Sequence, residues 1–115
     1  MITHEESPLK YGGPKAERLA IYDPEAPKYK QTYFKKKLVA FLDYSNFQNT
    51  IYIHYLSTRG DQCNKGYARK LINCLYEEMN AEFIHFGKIC HPAIEKIFKE
   101  KLAENKIVTK GHLWN

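Results

Sequence analysis

The stretch from Thr50 to Asn80 most constrains the fold, because it joins an apolar strand to an amphipathic helix through a short loop. Residues 50–57 (TIYIHYLS) are rich in β-branched and aromatic side chains, which is typical of a strand. Residues 58–68 (TRGDQCNKGYA) form a loop that contains two glycines. The helix that follows carries apolar side chains at helical spacing, at Tyr67, Ala68, Leu71, Ile72, Leu75 and Met79. This spacing predicts one broad apolar face.

The start of this helix predicts an anion-binding site. The first backbone N–H groups of a helix have no partner inside it, and they lie at the positive end of its dipole. Phosphate groups commonly bind there. Gly66 has no Cβ, so a ligand can approach the backbone closely. Lys65 and Arg69 would add positive charge at the same place, unless their side chains are simply solvated.

Length and cysteine usage limit the class of protein. A chain of 115 residues predicts one domain with a single core. No apolar run approaches the roughly 20 residues that cross a bilayer, and the N-terminus lacks the apolar core of a signal peptide. The cysteines are odd in number and far apart, at Cys63, Cys74 and Cys90. We therefore expect a cytoplasmic protein in a reducing compartment, with no membrane partner.

The charge of the chain indicates acidic partners. The net charge is +5 and the pI is about 9.1, which favours binding to nucleic acid or to a polyanionic cofactor such as CoA. Basic residues are mixed with acidic ones along the predicted helices instead of forming one run, and this pattern disfavours nucleic acid as the partner.

The part of the chain before the central stretch divides into an arm and a sheet. Residues 1–28 contain four prolines and a Gly-Gly pair, so we expect an N-terminal arm, partly extended, against a domain of residues 29–115. Leu38–Leu42 is a continuous apolar run that predicts a strand covered on both faces. Residues 43–49 have the composition of a turn, after which the chain would return antiparallel as the strand at Thr50.

The part beyond the central helix predicts more sheet and a second helix. Residues 83–89 have the composition of a strand, and Pro92 would begin a helix, where its missing N–H has no effect. The second helix would end near Asn105, with an apolar face made of Ile94, Ile97, Phe98 and Leu102. Residues 107–109 and 113–114 would complete the sheet. The predicted core includes Phe41, Ile53, Leu71, Leu75, Ile94 and Phe98.

Residues 63–68 (CNKGYA) resemble the acyl-CoA-binding loop of the GNAT superfamily of N-acyltransferases, usually written [Q/R]-x-x-G-x-[G/A]. Gly66 and Ala68 match its small positions, whereas Cys63 stands where Gln or Arg is usual; an ordinary strand-to-helix turn is the alternative. The order of elements from residue 29 onward is also similar to that of the family. The resemblance implies an α+β fold, a GNAT-like mixed and mostly antiparallel sheet with two main helices packed on it. Two central strands would splay apart to admit acyl-CoA.

The resemblance also implies where acetyl-CoA would bind. The pantetheine arm would pair with the end of the central strand, whose backbone would polarise the thioester carbonyl, and the pyrophosphate would contact the N–H groups of residues 64–68. The implied cofactor-binding residues are Leu56, Ser57, Thr58, Cys63, Asn64, Lys65, Gly66, Tyr67, Ala68 and Arg69.

The resemblance identifies fewer catalytic residues than cofactor-binding residues. Many family members use a carboxylate on the central strand as the base, and this strand has none. His54 and Tyr52 lie two residues apart and so share a face, and a histidine titrates near neutral pH. We take both as catalytic candidates; a structural, hydrogen-bonding His54 is the alternative. The helix tyrosine that often serves as general acid has Phe98 in its place, which has no proton to give.

A cysteine nucleophile and a metal site are two alternatives to this chemistry. Cys90 and His91 lie at a helix start, where a thiol could become nucleophilic, but a buried structural cysteine is the simpler interpretation. The cysteines and His91 lack any zinc-like spacing, so no metal site is predicted among them.

The leading prediction is an N-acetyltransferase that transfers an acetyl group from acetyl-CoA to an unidentified amine by direct attack. The acceptor is a small molecule or a protein, and a homodimer is an open option. One rival is a catalytically weak CoA-binding pseudoenzyme. The other is a small basic nucleic-acid- or protein-binding module, whose contact surface would be the Lys35–Lys37 turn and exposed tyrosines.

Overall fold

The computed structural model describes residues 2–9, 15–29, 34–47, 50–79, 83–86, 96–97, 99–100 and 108–110. These residues form one six-stranded mixed sheet with one α-helix packed on it. The elements are β1 (Ile2–Glu6), β2 (Glu17–Tyr22), β3 (Leu38–Phe47), β4 (Thr50–Thr58), α1 (Tyr67–Glu78), β5 (Phe83–Phe86) and β6 (Val108–Lys110). None of the described helical segments is long and apolar enough to span a membrane.

The strands lie side by side in the order of the chain. β1 to β4 are antiparallel to their neighbours, whereas β5 is parallel to β4 and β6 is parallel to β5. Antiparallel strands can be joined by tight turns, but a parallel pair needs a crossover connection. α1 lies in the crossover from β4 to β5 and packs across β2, β3 and β4. The arrangement changes from antiparallel to parallel at β4.

α1 forms because its apolar residues recur at helical spacing and face the sheet. Leu71, Ile72 and Leu75 are fully buried, whereas Lys70 and Glu77 on the other side are exposed. The main core lies between α1 and the sheet. It contains Leu19, Ile21, Val39, Leu42, Tyr44, Ile51, Ile53, Leu71, Ile72, Leu75, Ile84, Phe86 and Ile97.

The opposite face of the sheet, here called the outer face, carries a smaller apolar cluster of Ala20, Phe34, Leu38 and Phe41.

Four predicted core residues, Phe41, Ile53, Leu71 and Leu75, are buried. The other two, Ile94 and Phe98, lie outside the described residues.

The predicted fold class, with two main helices packed on the sheet, is wrong. In the part of the chain that the structure describes, α1 is the only complete α-helix, although the buried side chain of Ile97, from the predicted second helix, also packs in the main core. Most of the predicted second helix, residues 92–105, lies outside the described residues, and the four residues of it that are described, 96–97 and 99–100, are helical. An apolar repeat shows which face a helix would bury, but a short helix needs tertiary packing to be stable. The apolar repeat that begins at Ile94 was therefore not sufficient to predict a second main helix among the described elements.

The predicted turn at residues 43–49 is also wrong, because β3 continues to Phe47. Asp43 and Ser45 signal a turn in a single sequence, since their side chains bond readily to local backbone. Here both side chains are buried in the sheet and hydrogen-bonded to side chains from other strands. At the other end of the sheet, two strands of the predicted N-terminal arm, β1 and β2, pair in register with the rest.

The packing of α1 makes a first prediction. Leu75→Ala should lower the free energy of unfolding by about 2–5 kcal/mol, because it removes a fully buried side chain and leaves a cavity. Urea denaturation monitored by circular dichroism measures the change. Glu77→Ala, an exposed substitution on the same helix, should stay within about 0.5 kcal/mol of the wild type. Equal effects of the two substitutions would contradict the packing of this helix.

Candidate functional site

β4 contains a β-bulge at His54. Ile53 pairs with Tyr44, but the next residue of β3, Asp43, pairs with Tyr55, so His54 is the extra residue. A bulge bends its strand and changes the direction of the side chains near it. Ile53 packs in the main core, whereas Tyr55 lies on the outer face and stacks on Phe41, with ring centroids 5.6 Å apart. The bulge therefore places His54 and Tyr55 on the face opposite α1.

A buried polar network lies on the outer face beside this bulge. Asp43 accepts two hydrogen bonds from Arg18, at 2.7 and 2.9 Å, and one from the Ser7 hydroxyl at 2.7 Å. Ser45 Oγ lies 2.8 Å from His54 Nε2. The outer-face polar network is defined here as Ser7, Arg18, Asp43, Ser45 and His54. Ser7, Arg18 and Asp43 join the segment after β1 to β2 and β3, and Ser45 and His54 join β3 to the bulge of β4.

The environment of His54 favours its neutral form. The side chain is half-buried, and this burial lowers the pKa of His54, an effect that the negative charge of Asp43 partly opposes. A neutral imidazole carries one nitrogen lone pair and can accept a proton. His54 is therefore positioned to act as a base at neutral pH.

The hydrogen bonds of the Ser45 hydroxyl determine which ring nitrogen of His54 carries the lone pair. Its hydroxyl lies 3.3 Å from the carbonyl of Lys15 as well as 2.8 Å from His54 Nε2. If the hydroxyl donates to Lys15, it accepts from Nε2–H, and Nδ1 carries the lone pair. If it donates to Nε2, then Nδ1 carries the proton. In both arrangements, Ser45 fixes the orientation of the ring.

Tyr52, the second catalytic candidate, lies on the same face. It pairs with Ser45 across the β3–β4 ladder, and residues directly opposite each other in a ladder share a face. Its ring packs against His85 of β5, with centroids 5.6 Å apart, and its side chain is exposed. Tyr52 and His54 thus lie on one face, but the described ring contact of Tyr52 is with His85.

The pairing of β4 with β5 ends where the bulge begins. β5 is described to Phe86, which pairs with Ile53, while β4 continues to Thr58. Residues 55–58 remain paired with β3 on one side, and no described strand pairs with their other edge. Such an edge presents backbone N–H and C=O groups that an extended ligand can pair with. The predicted cofactor-binding residues Leu56, Ser57 and Thr58 lie along this edge.

The loop after β4 is held by a buried arginine that the sequence interpretation missed. The Arg59 side chain is 1% exposed and donates to both carboxylate oxygens of Asp61, at 2.8 and 2.7 Å. It also donates to the carbonyl of Pro27 at 2.8 Å and lies over the ring of Tyr29. The hydrogen bonds from Arg59 lower the pKa of Asp61 to about 2. The Arg-x-Asp spacing within the loop is the sequence signal that could have predicted this ion pair.

Gly66 is the N-cap that precedes α1, and it has a left-handed backbone with φ of 77°. Its carbonyl accepts the first helical bond, from the N–H of Lys70 at 3.0 Å. The N–H groups of Tyr67 and Ala68 precede that bond and have no acceptor within the helix, and Gly66 supplies no side chain to cap them. A Cβ built on Gly66 would meet no described atom within 4 Å. Among the described residues, the space next to the Gly66 Cα is therefore open.

The two predicted cations beside the helix start differ in their pairing. The Arg69 guanidinium forms an ion pair with the carboxylate of Glu100, which compensates its charge within the protein. Lys65 Nζ donates to the neutral amide oxygen of Gln62 at 2.8 Å, so its charge is not compensated by that bond. Lys65 is thus the better placed of the two to attract an anion.

The remaining predicted residues divide into two groups. Cys63 is exposed in the loop, where its thiol lies 3.5 Å from the carbonyl of Arg59, and Asn64 follows with a positive φ of 68°. The candidates Cys90, His91 and Phe98 lie outside the described residues.

Comparisons with protein-family models and with curated proteins find no match for this chain.

The half-buried position of His54 makes a second prediction. Because the pKa of His54 is lower in the folded protein than in the unfolded chain, the unfolded chain binds the proton more readily. The stability contributed by a neutral His54 should be complete above the usual pKa of about 6.5 and should fall as the pH drops through the folded pKa. Urea unfolding midpoints measured at about six pH values between pH 5 and pH 8 would reveal this loss of stability.

Two variants identify the residue responsible. His54→Gln should lose this part of the pH dependence, while His4→Gln, at an exposed position on β1, should keep it. A pH dependence that survives in His54→Gln would contradict the assignment.

Proposed function

We propose that this protein binds an acyl-CoA, with acetyl-CoA as the first candidate, and transfers the acyl group to an amine. One observation carries the proposal. The edge of β4 loses its described partner after Ile53, and the next residue, His54, forms the bulge. The same strand then leads to the start of α1, where no described atom lies within 4 Å of a Cβ built on Gly66. An extended ligand with a phosphate group at one end and a reactive carbonyl at the other matches this order of features.

The cofactor would be held largely by backbone groups. The two amides of a pantetheine arm would pair with the edge of residues 56–58, as an added strand pairs with a sheet. The pyrophosphate would lie at the N-terminus of α1, where the N–H groups of Tyr67 and Ala68 and the helix dipole favour an anion. The charge of Lys65 and the net charge of +5 would favour the approach of a polyanion.

The reaction follows from the position of His54. A neutral amine attacks the thioester carbonyl carbon, a C–N bond forms, and the C–S bond breaks. His54 accepts the proton that the amine nitrogen loses, and Ser45 holds the imidazole ring in place. A backbone N–H along residues 56–58 of β4 would stabilise the oxyanion. The CoA thiolate leaves and takes its proton from solvent.

A CoA-binding protein without turnover is the nearest alternative, because the position of the usual general acid holds Phe98. A second class of function is favoured by the exposed aromatic residues Phe47, Tyr52 and Tyr55, with 49%, 37% and 43% of their surface accessible. Nucleic-acid bases can stack on such rings. Retention on immobilised CoA supports a CoA-binding protein, with or without turnover. Retention on single-stranded oligonucleotides without CoA binding supports a nucleic-acid-binding module.

CoA binding gives the third prediction. Acetyl-CoA at 100 times its dissociation constant should stabilise the wild type by about 2.7 kcal/mol in a thermal shift experiment. Gly66→Val should abolish binding measured by calorimetry, because the new side chain would enter the space over the helix start and the residue has a positive φ.

The matched control is Asn64→Gly, which removes a side chain at the other positive-φ position of the loop. It should keep the affinity, since the contacts proposed there are made by the backbone. Unchanged affinity in Gly66→Val would contradict the assignment of the loop.

The base gives the fourth prediction. His54→Ala should lower the rate of acetyl transfer by about 10²–10⁴-fold, the usual contribution of general base catalysis. The affinity for acetyl-CoA should hardly change, because His54 lies outside the phosphate-binding loop. The wild-type rate should rise with pH through an apparent pKa below the usual 6.5 or so, since burial favours the neutral imidazole.

The test uses a panel of amines with the wild type, His54→Ala and the control His4→Gln. Full activity in His54→Ala, or a pH profile that reports only the titration of the amine, would contradict the role of His54. Binding of acetyl-CoA with no turnover for any amine would favour the pseudoenzyme.

A further inference from the structure

A second cluster of reactive side chains lies away from this site, between the edge strand β1 and α1. His4 of β1 faces Cys74 and Glu78 of α1, and one ligand atom from each lies within 4.8 Å of the other two. His4 Nε2 is 2.8 Å from Glu78 Oε2. We infer that these three residues form a binding site for a divalent transition metal, with Zn²⁺ as the ion that their chemistry fits.

The local structure explains why the three residues meet. Cys74 and Glu78 are four residues apart in α1, so their side chains lie on one face of the helix, one turn apart. β1 pairs with β2 at the edge of the sheet, with His4 opposite Leu19, and α1 packs against the same strand β2. The imidazole therefore reaches the helix from a different element, far away in the sequence.

The donor set favours a zinc-like ion over magnesium or calcium. A thiolate and an imidazole are preferred ligands of zinc, whereas Mg²⁺ and Ca²⁺ prefer oxygen atoms. Metal–ligand bonds of about 2.0–2.3 Å place tetrahedral donor atoms about 3.5 Å apart. Small rotations of the three side chains would bring atoms now within 4.8 Å to that spacing. Since His4 and Glu78 are about half exposed, water can supply a fourth ligand.

Charge balance supports the same inference. With Cys74 as a thiolate and Glu78 as a carboxylate, the site carries two negative charges beside a neutral imidazole, and a divalent ion compensates both. Binding displaces the thiol proton to solvent. Without a metal, His4 and Glu78 form a half-exposed pair, a type of contact that adds little to stability. With a metal, the same residues would fasten the edge strand β1 to the helix.

This site differs from the prediction of no metal made from the sequence. That prediction considered the cysteines and His91, whose spacing does not match a zinc motif. It did not consider His4, because nothing local in the sequence connects β1 with α1. The cluster becomes apparent only when the order of the sheet is known.

The experiment uses the full chain, freed of metal with a chelator and kept reduced with a phosphine. Co²⁺ is added first, because a thiolate ligand gives a charge-transfer band and tetrahedral coordination gives intense visible bands. Zn²⁺ is then titrated against the Co²⁺ complex and against a chromophoric chelator. We expect one equivalent of bound metal, the thiolate band, and its loss when Zn²⁺ displaces Co²⁺.

Variants assign the ligands and form the fifth prediction. Cys74→Ser should abolish the thiolate band, and His4→Gln should weaken Zn²⁺ binding by about tenfold or more. The control Cys63→Ser removes an exposed cysteine in the loop after β4 and should change neither result. A second control, Cys90→Ser, should also leave both unchanged. His4→Gln keeps the test decisive if Cys74→Ser fails to fold, since His4 lies at an exposed strand edge.

Three outcomes would overturn the site. The first is a wild-type protein without a thiolate band. The second is a band that survives in Cys74→Ser. The third is a band that disappears in Cys63→Ser or Cys90→Ser, which would place the metal on other residues.

Discussion

The buried ion pair between Arg18 and Asp43 is the interaction on which the outer half of the sheet depends. Asp43 is completely buried in the middle of β3, and a charge there is tolerable only because Arg18 of β2 and the hydroxyl of Ser7 satisfy it. Loss of one partner from such a pair typically destabilises a protein by about 3–5 kcal/mol. The pair lets β3 continue with polar residues as far as Phe47, so that β4 returns with Ser45 beside His54. The proposed base on β4 thus depends on an ion pair that joins the two preceding strands, β2 and β3.

Local patterns predicted the central elements of the fold. β4 and α1 were recognised because strand and helix periodicity are properties of a single segment, and the burial of Leu71 and Leu75 agrees with them. The second half of β3 was missed because Asp43 finds its partner on another strand. The two-helix fold class was wrong because the apolar repeat from Ile94 gives no information about what the segment packs against. Two N-terminal strands were obscured by prolines in the segments around them.

The candidate site could be predicted only in part, for a related reason. Gly66 and the shared face of Tyr52 and His54 follow from spacing along the chain. The bulge at His54 could not be predicted, since a bulge is a property of the register between two strands. The pairing of Arg69 with Glu100 is also absent from any local pattern, and it removes one cation that the sequence assigned to the phosphate.

The contacts of Arg59 have a consequence for the energetics of ligand binding. Its guanidinium joins the loop after β4 to the carbonyl of Pro27 and the ring of Tyr29, in the segment between β2 and β3. Tyr29 contributes a second link, by accepting a hydrogen bond from the N–H of Gly60. The loop is therefore ordered before any ligand arrives, and a ligand bound at the start of α1 need not immobilise it. Much of the entropy that flexible loops lose on association has already been lost during folding.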